Sequence, residues 1–171
     1  PELITRGKHM GGGLPLSGKI TTPEYSERLP GEYGFTQAGN PMACAAGLAM
    51  VEIMVRDDLP ANSERIGTLM TDALKEIQRD SKLIGEVRGQ GLMIGVELVR
   101  DRETKEPAFE ETDQLMAACL GHGLMIDKTG PVFGANGNVA KFKPAVNVTE
   151  EDAMEMVELF GRALRDVEAA L

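Results

Sequence analysis

Residues 83–99 read LIGEVRGQGLMIGVELV. The glycines of RGQGLMIG (88–95) give this stretch a superficial likeness to a dinucleotide-binding turn, which must feed a helix. The residues after these glycines have no helical pattern. Leu92, Ile94, Val96 and Leu98 alternate with Met93, Gly95, Glu97 and Val99, a period of two that belongs to a sheet strand. Residues 83–87 form a second strand-like run, so the segment predicts two strands joined by a turn at Arg88–Gly91. The fold around it is therefore a small sheet, not a nucleotide-binding βαβ unit.

Upstream, Ile66, Leu69, Met70, Ala73, Leu74 and Ile77 recur at spacings of three and four, with Asp72, Lys75, Glu76 and Arg79 between them. That is one stripe of an amphipathic helix. Downstream come a charged loop (101–110) and a helix over 111–121 with Leu115, Met116, Cys119 and Leu120 inward. Strand candidates lie at 124–127 and 139–143. A last helix is opened by Thr149 and Asp152 in a variant capping box, with Val157, Phe160, Leu164 and Val167 on one face. Residues 60–171 thus read as helices layered on a small, mostly antiparallel sheet.

The first 59 residues have a different character. Two short strand-like runs, 2–6 and 14–20, flank a glycine-rich loop and have no evident partners. Residues 21–39 are punctuated by proline and glycine. Asn40-Pro41 then starts a helix to about Arg56, with a capping amide ahead of a proline at the first helical position. Ala43, Ala45, Ala46, Gly47 and Ala49 let that helix approach another backbone closely.

A net charge of −9 argues against nucleic acid or an anionic membrane as a partner. No apolar run approaches the ~20 residues of a membrane span, and no signal peptide is evident; a cytoplasmic location is expected. Cys44 and Cys119 read as small buried hydrophobes, and His9 and His122 as ordinary polar residues. No metal site is expected from them.

Lys8 stands out in LITRGKHMGGGLPL (3–16). A phosphate-loop reading fails, because the lysine precedes the glycines and no Ser or Thr comes after it to hold magnesium. HMGGG (9–13) without a G-x-S-x-G elbow makes no esterase. Further on, GFTQAGNP (34–41) places a hydroxyl, an amide and glycines just before a helix N-terminus, a setting that favours phosphate. An amine to condense with an aldehyde and a cradle for a phosphate are what pyridoxal phosphate requires. On these residues alone, Lys8 is either such a group or a solvated surface charge.

The segments PELITRGKHMGGGLPLSG (1–18), GFTQAGNPMACAAGLAMVEIM (34–54), LIGEVRGQGLMIGVELV and NVAKFKPAVNVTEEDAMEMVELF (138–160) resemble, in order, class III aminotransferases. These are the omega- and ornithine-type branch of the fold type I pyridoxal phosphate enzymes. Glu2 departs from the aspartate usual there. The resemblance implies an α/β fold in two parts: the C-terminal remnant of the large cofactor domain over 1–59 and the complete small C-terminal domain over 60–171. It implies Lys8 as the Schiff-base lysine, Thr36 as a phosphate ligand in the neighbouring subunit's active site, and Gly34 and Phe35 against the cofactor. Lys141 takes the place of an arginine that commonly grips a substrate carboxylate, and a lysine offers a point charge where arginine offers a fork.

The implied activity is ping-pong amino transfer from a primary amine or amino acid to a keto acid, in a homodimer with shared sites. Its alternatives are a phospho-lyase of the same superfamily and a non-catalytic assembly domain. The family's N-terminal half supplies further cofactor contacts, so this chain by itself is expected to be inactive.

Overall fold

The computed structural model describes residues 2–27, 36, 38–130 and 137–171. The chain divides into two compact units, Pro1–Asp58 and Leu59–Leu171.

In the first unit, strand β1 (Leu3–Arg6) pairs antiparallel with β2 (Gly18–Thr21), from Leu3 opposite Thr21 to Arg6 opposite Gly18. The two runs expected to lack partners therefore find each other, and the second begins at Gly18 instead of residue 14. The Thr21 hydroxyl closes the open end of the pair by donating to the Glu2 carbonyl at 3.1 Å. A 3-10 turn (Lys8–Gly11) lies between the strands, and a short helix α1 (Pro23–Glu27) falls in a stretch expected to be loop. Helix α2 (Pro41–Arg56) starts where Asn40-Pro41 predicts.

Ala43 and Gly47, one turn apart, are the residues α2 buries. A Cβ on Gly47 would lie 2.4 Å from Leu16 Cδ2 and 3.3 Å from the Met10 carbonyl oxygen. The glycine thus lets the loop between β1 and β2 lie directly on the helix, the close approach that its small residues predict. Cys44, expected buried, is exposed; it sits a helical step of about 100° away from that contact stripe.

The second unit carries helix α3 (Leu59–Asp80), strands β3 (Ile84–Gln90) and β4 (Met93–Leu98), helix α4 (Phe109–Gly121), strands β5 (Asp127–Lys128) and β6 (Val139–Phe142), and helix α5 (Glu150–Ala169). The sheet order is β3-β4-β6-β5, and every pairing is antiparallel. The expected turn at Arg88–Gly91 is shorter than predicted: β3 continues to Gln90, paired with Met93, and only Gly91 and Leu92 connect the strands. Gly91 takes the positive φ of +54° that so tight a hairpin needs. A register shift between Ile84 and Glu86 lets Ile84 and Val87, three apart, both face inward.

One face of the sheet meets α3, α4 and α5. Ile66, Met70 and Leu74 of α3 are buried against Ile94, Val96, Ala140 and Phe142 and against Phe160 and Leu164 of α5. Phe142 and Phe160 meet edge to face at 5.2 Å, a favourable aromatic geometry. On α4, Leu115 and Cys119 are buried as expected, but Leu120 points to solvent. A Cβ on Gly67 would sit 2.1 Å from the Gly91 carbonyl oxygen, so α3 reaches the hairpin turn only because both positions are glycine.

Two caps fix the helix ends. Thr149 Oγ1 accepts from the Asp152 N–H at 3.1 Å and donates to Asp152 Oδ2 at 2.6 Å. This differs from the reciprocal capping box, where the acidic side chain takes the cap's backbone N–H. Near the other end of α5, Glu168 Oε1 accepts from Ser81 Oγ (2.6 Å), Lys82 N (2.8 Å) and Leu83 N (3.1 Å), pinning the last turn to the entry of β3.

Candidate active site

Lys8 opens the 3-10 turn and is exposed. Its φ is +54°, in the left-handed region. For a residue with a Cβ this conformation costs roughly 1–2 kcal/mol, and such strain gathers at functional positions. The surroundings impose it. The Met10 N–H bonds the Gly7 carbonyl at 3.3 Å, the Gly12 N–H bonds His9 at 3.1 Å, and the Leu14 N–H bonds Gly11 at 3.0 Å. Gly11 is buried, with a Cβ there 3.0 Å from Leu16 Cβ, and a Cβ on Gly12 would press on Met50 Cγ at 3.1 Å. The loop is thus fastened to α2 through Leu16, Met10 and Met50 while the lysine stands free. Among the described residues no acid pairs with its amine.

Thr36 lies exposed in the turn before α2. Gly39, with φ +66°, bends the chain into the helix. Asn40 Oδ1 accepts from the N–H groups of Met42 (3.0 Å) and Ala43 (3.3 Å), and Cys44 N bonds the Asn40 carbonyl at 2.9 Å. Pro41 has no N–H. The first donors of α2 are therefore already used, and a phosphate here would draw on the Thr36 hydroxyl and the loop rather than the helix N-terminus. Gly34 and Phe35 lie outside the described residues.

Lys141 belongs to the second unit. It sits on β6, its side chain partly shielded, with Nζ 2.8 Å from Asp127 Oδ2 on β5. The Lys141 hydrogen bond holds the Asp127 carboxyl below the usual range against the opposing effect of burial; Lys143 adds to it. Lys128 pairs with Asp113. No sequence signal marks Asp127: a two-residue strand gives no periodicity, and its partner lies 14 positions away across a turn-rich segment.

A free primary amine on a fastened, strained loop and an exposed hydroxyl in a glycine-bearing turn fit the aldehyde and phosphate ends of pyridoxal phosphate. No described helix is long and apolar enough to cross a membrane, and among the described residues no cluster of His, Cys, Asp and Glu could hold a metal ion.

The chain is 38% identical over 169 residues to a leucine/methionine racemase of Thermococcus litoralis, covering 98% of this chain and 37% of that protein. A Bacillus anthracis aminotransferase superposes with a TM-score of 0.88 at 32% identity, over 97% of this chain and 39% of its own. A phospholyase from Arthrobacter, solved in complex with phosphoethanolamine, gives 0.88 at 32% identity, over 96% and 39%. The chain thus spans about two-fifths of the length of these relatives, and its architecture is a part of the fold type I α/β structure they share. The family model for class-III aminotransferases matches residues 1–164, and the chain belongs to that pyridoxal phosphate-dependent family.

Proposed function

We propose that this chain carries the cofactor-bearing lysine and a substrate-facing cation of an enzyme that moves an amino group from a primary amine or amino acid to a keto acid. The observation that carries the reading is Lys8: an exposed amine with no acid partner among the described residues, on a strained turn fastened to α2. When bound, pyridoxal phosphate supplies an aldehyde for attachment to an amine and an electron-poor ring that accommodates charge at the substrate carbon. Lys8 Nζ would hold the cofactor; once freed by an incoming amine, it would act as general base, taking the proton from the substrate carbon that bears nitrogen, and as general acid, delivering that proton to the cofactor side. The Thr36 hydroxyl holds the phosphate. Lys141 Nζ faces the substrate's acidic group.

Family likeness is the ground for a homodimer in which Thr36 serves the neighbouring subunit's site, and the net charge of −9 is the ground for leaving out nucleic acid and anionic membrane as partners. Gly34 and Phe35 would lie against the same cofactor.

A phospho-lyase is the second reading, favoured by a phospholyase relative as similar in fold as the aminotransferase. Against it, the lysines at the sheet edge are compensated: Lys141 by Asp127 and Lys128 by Asp113. Assays of the full-length enzyme for keto-acid turnover and for phosphate release separate the two. Under either chemistry, Lys8→Ala lowers kcat by about 10³-fold or more, the loss of a positioned acid–base group and of covalent attachment together. Retained turnover would exclude Lys8.

A further inference from the structure

Directly opposite residues in antiparallel strands point to the same side of a sheet. Arg88 on β3 is opposite Gly95 on β4, Gly95 opposite Lys141 on β6, and Lys141 opposite Asp127 on β5. These four form one row on the sheet face away from the buried Ile94, Val96, Ala140 and Phe142. Gly95 carries no side chain, and Val139 Cγ1, 3.1 Å from where a Cβ would stand, lies over that position between the two cations. Arg88 is engaged by Glu97 at 2.5 Å and Glu86 at 2.7 Å. Among the described residues Lys141 pairs with Asp127, at 2.8 Å; its own side chain is 21% exposed and that of Asp127 is 81% exposed.

A lysine is a compact single charge with no fork to share between two carboxylates. An incoming carboxylate must therefore displace Asp127 or lie beside it against like-charge repulsion. The partner that must leave is at the end of a two-residue edge strand and open to water, so it competes without locking the site shut. We propose that Asp127 is a specificity residue: its carboxylate occupies the position on Lys141 that a substrate carboxylate would take, and so biases the enzyme toward amines with no carboxylate beside the reacting carbon. This rests on the reading of Lys141 as the substrate-facing cation.

L-alanine and isopropylamine are suitable probes, because they differ by a carboxylate in place of a methyl group. In the full-length holoenzyme, Asp127→Asn should lower the ratio of the KM for alanine to the KM for isopropylamine by about two- to five-fold, the scale of an exposed ion pair. Adding Lys141→Ala should cancel that change. An unchanged ratio, or a change that survives the loss of Lys141, overturns the proposal. If neither amine reacts, amino transfer is the wrong chemistry, and propionate titrated into the full-length protein by NMR decides alone. Tighter propionate binding in Asp127→Asn, lost again with Lys141→Ala, supports the role of Asp127; equal binding in all three overturns it.

Discussion

Helices α2 and α5 are both rich in apolar residues, yet they use them in opposite ways. On α5, Ala153, Val157, Phe160, Leu164 and Val167 lie on one stripe and are all buried within the second unit. On α2, only Ala43 and Gly47 are buried, while Met42, Leu48, Val51 and Val55 point outward. An amphipathic helix is satisfied by one neighbouring surface, whereas a helix apolar all round needs cover on several sides. The second unit therefore supplies its own core, and the first, among its described residues, holds its loop in place through that single stripe. Within the first unit, α2 seats the Lys8 loop on the stripe of Ala43 and Gly47 and leaves Met42, Leu48, Val51 and Val55 exposed.

The contrast can be broken by substitution. Phe160 is fully buried and Val55 is 77% exposed. Phe160→Ala should cost about 3–5 kcal/mol in denaturant unfolding of the chain, and Val55→Ser less than about 0.5 kcal/mol. Comparable losses would mean that α2 is as fully packed as α5.

Cys119 sharpens the same point through pH. Burial alone pushes its thiol from 9.0 to about 11. Because the folded protein holds this proton more tightly than the unfolded chain, the contribution is complete below about pH 9 and is lost as pH rises toward 11. Stability should fall across that window by an amount on the order of 2 kcal/mol, and Cys119→Ala should remove that part of the decline.

Lys8 provides a smaller effect than Phe160 or Cys119, with the opposite sign. Glycine adopts a φ of +54° without the penalty that a Cβ brings. Lys8→Gly should be more stable to heat than Lys8→Ala by about 1 kcal/mol, while both are inactive. Equal melting temperatures would show that the turn relaxes around alanine, and that the lysine's conformation is not held by the loop.

Much of this fold is legible in sequence because it is local or periodic. The stripes of α3 and α5, the alternation over 92–99, the Asn40-Pro41 start of α2 and the cap at Thr149 all report on neighbours three, four or two residues away. The failures share a cause. The pairing of β1 with β2 escapes prediction because it joins residues about 12 to 18 apart across a glycine loop, where no period carries over. Cys44 is misjudged because small size marks a residue that can be buried and does not say which stripe of a helix is covered. The inward turn of Ile84 and Val87 depends on a register shift against β4.

The candidate site divides the same way. Residue type and setting bring out Lys8 and Thr36 from the sequence, and the family resemblance rests on the order of short segments. Tertiary structure alone decides that Lys8 stands in a left-handed turn fastened to α2 and that Asp127 sits on Lys141. Each of these depends on a contact between segments whose meeting is set by backbone geometry, and the chemistry of a single stretch carries no record of what will be folded against it.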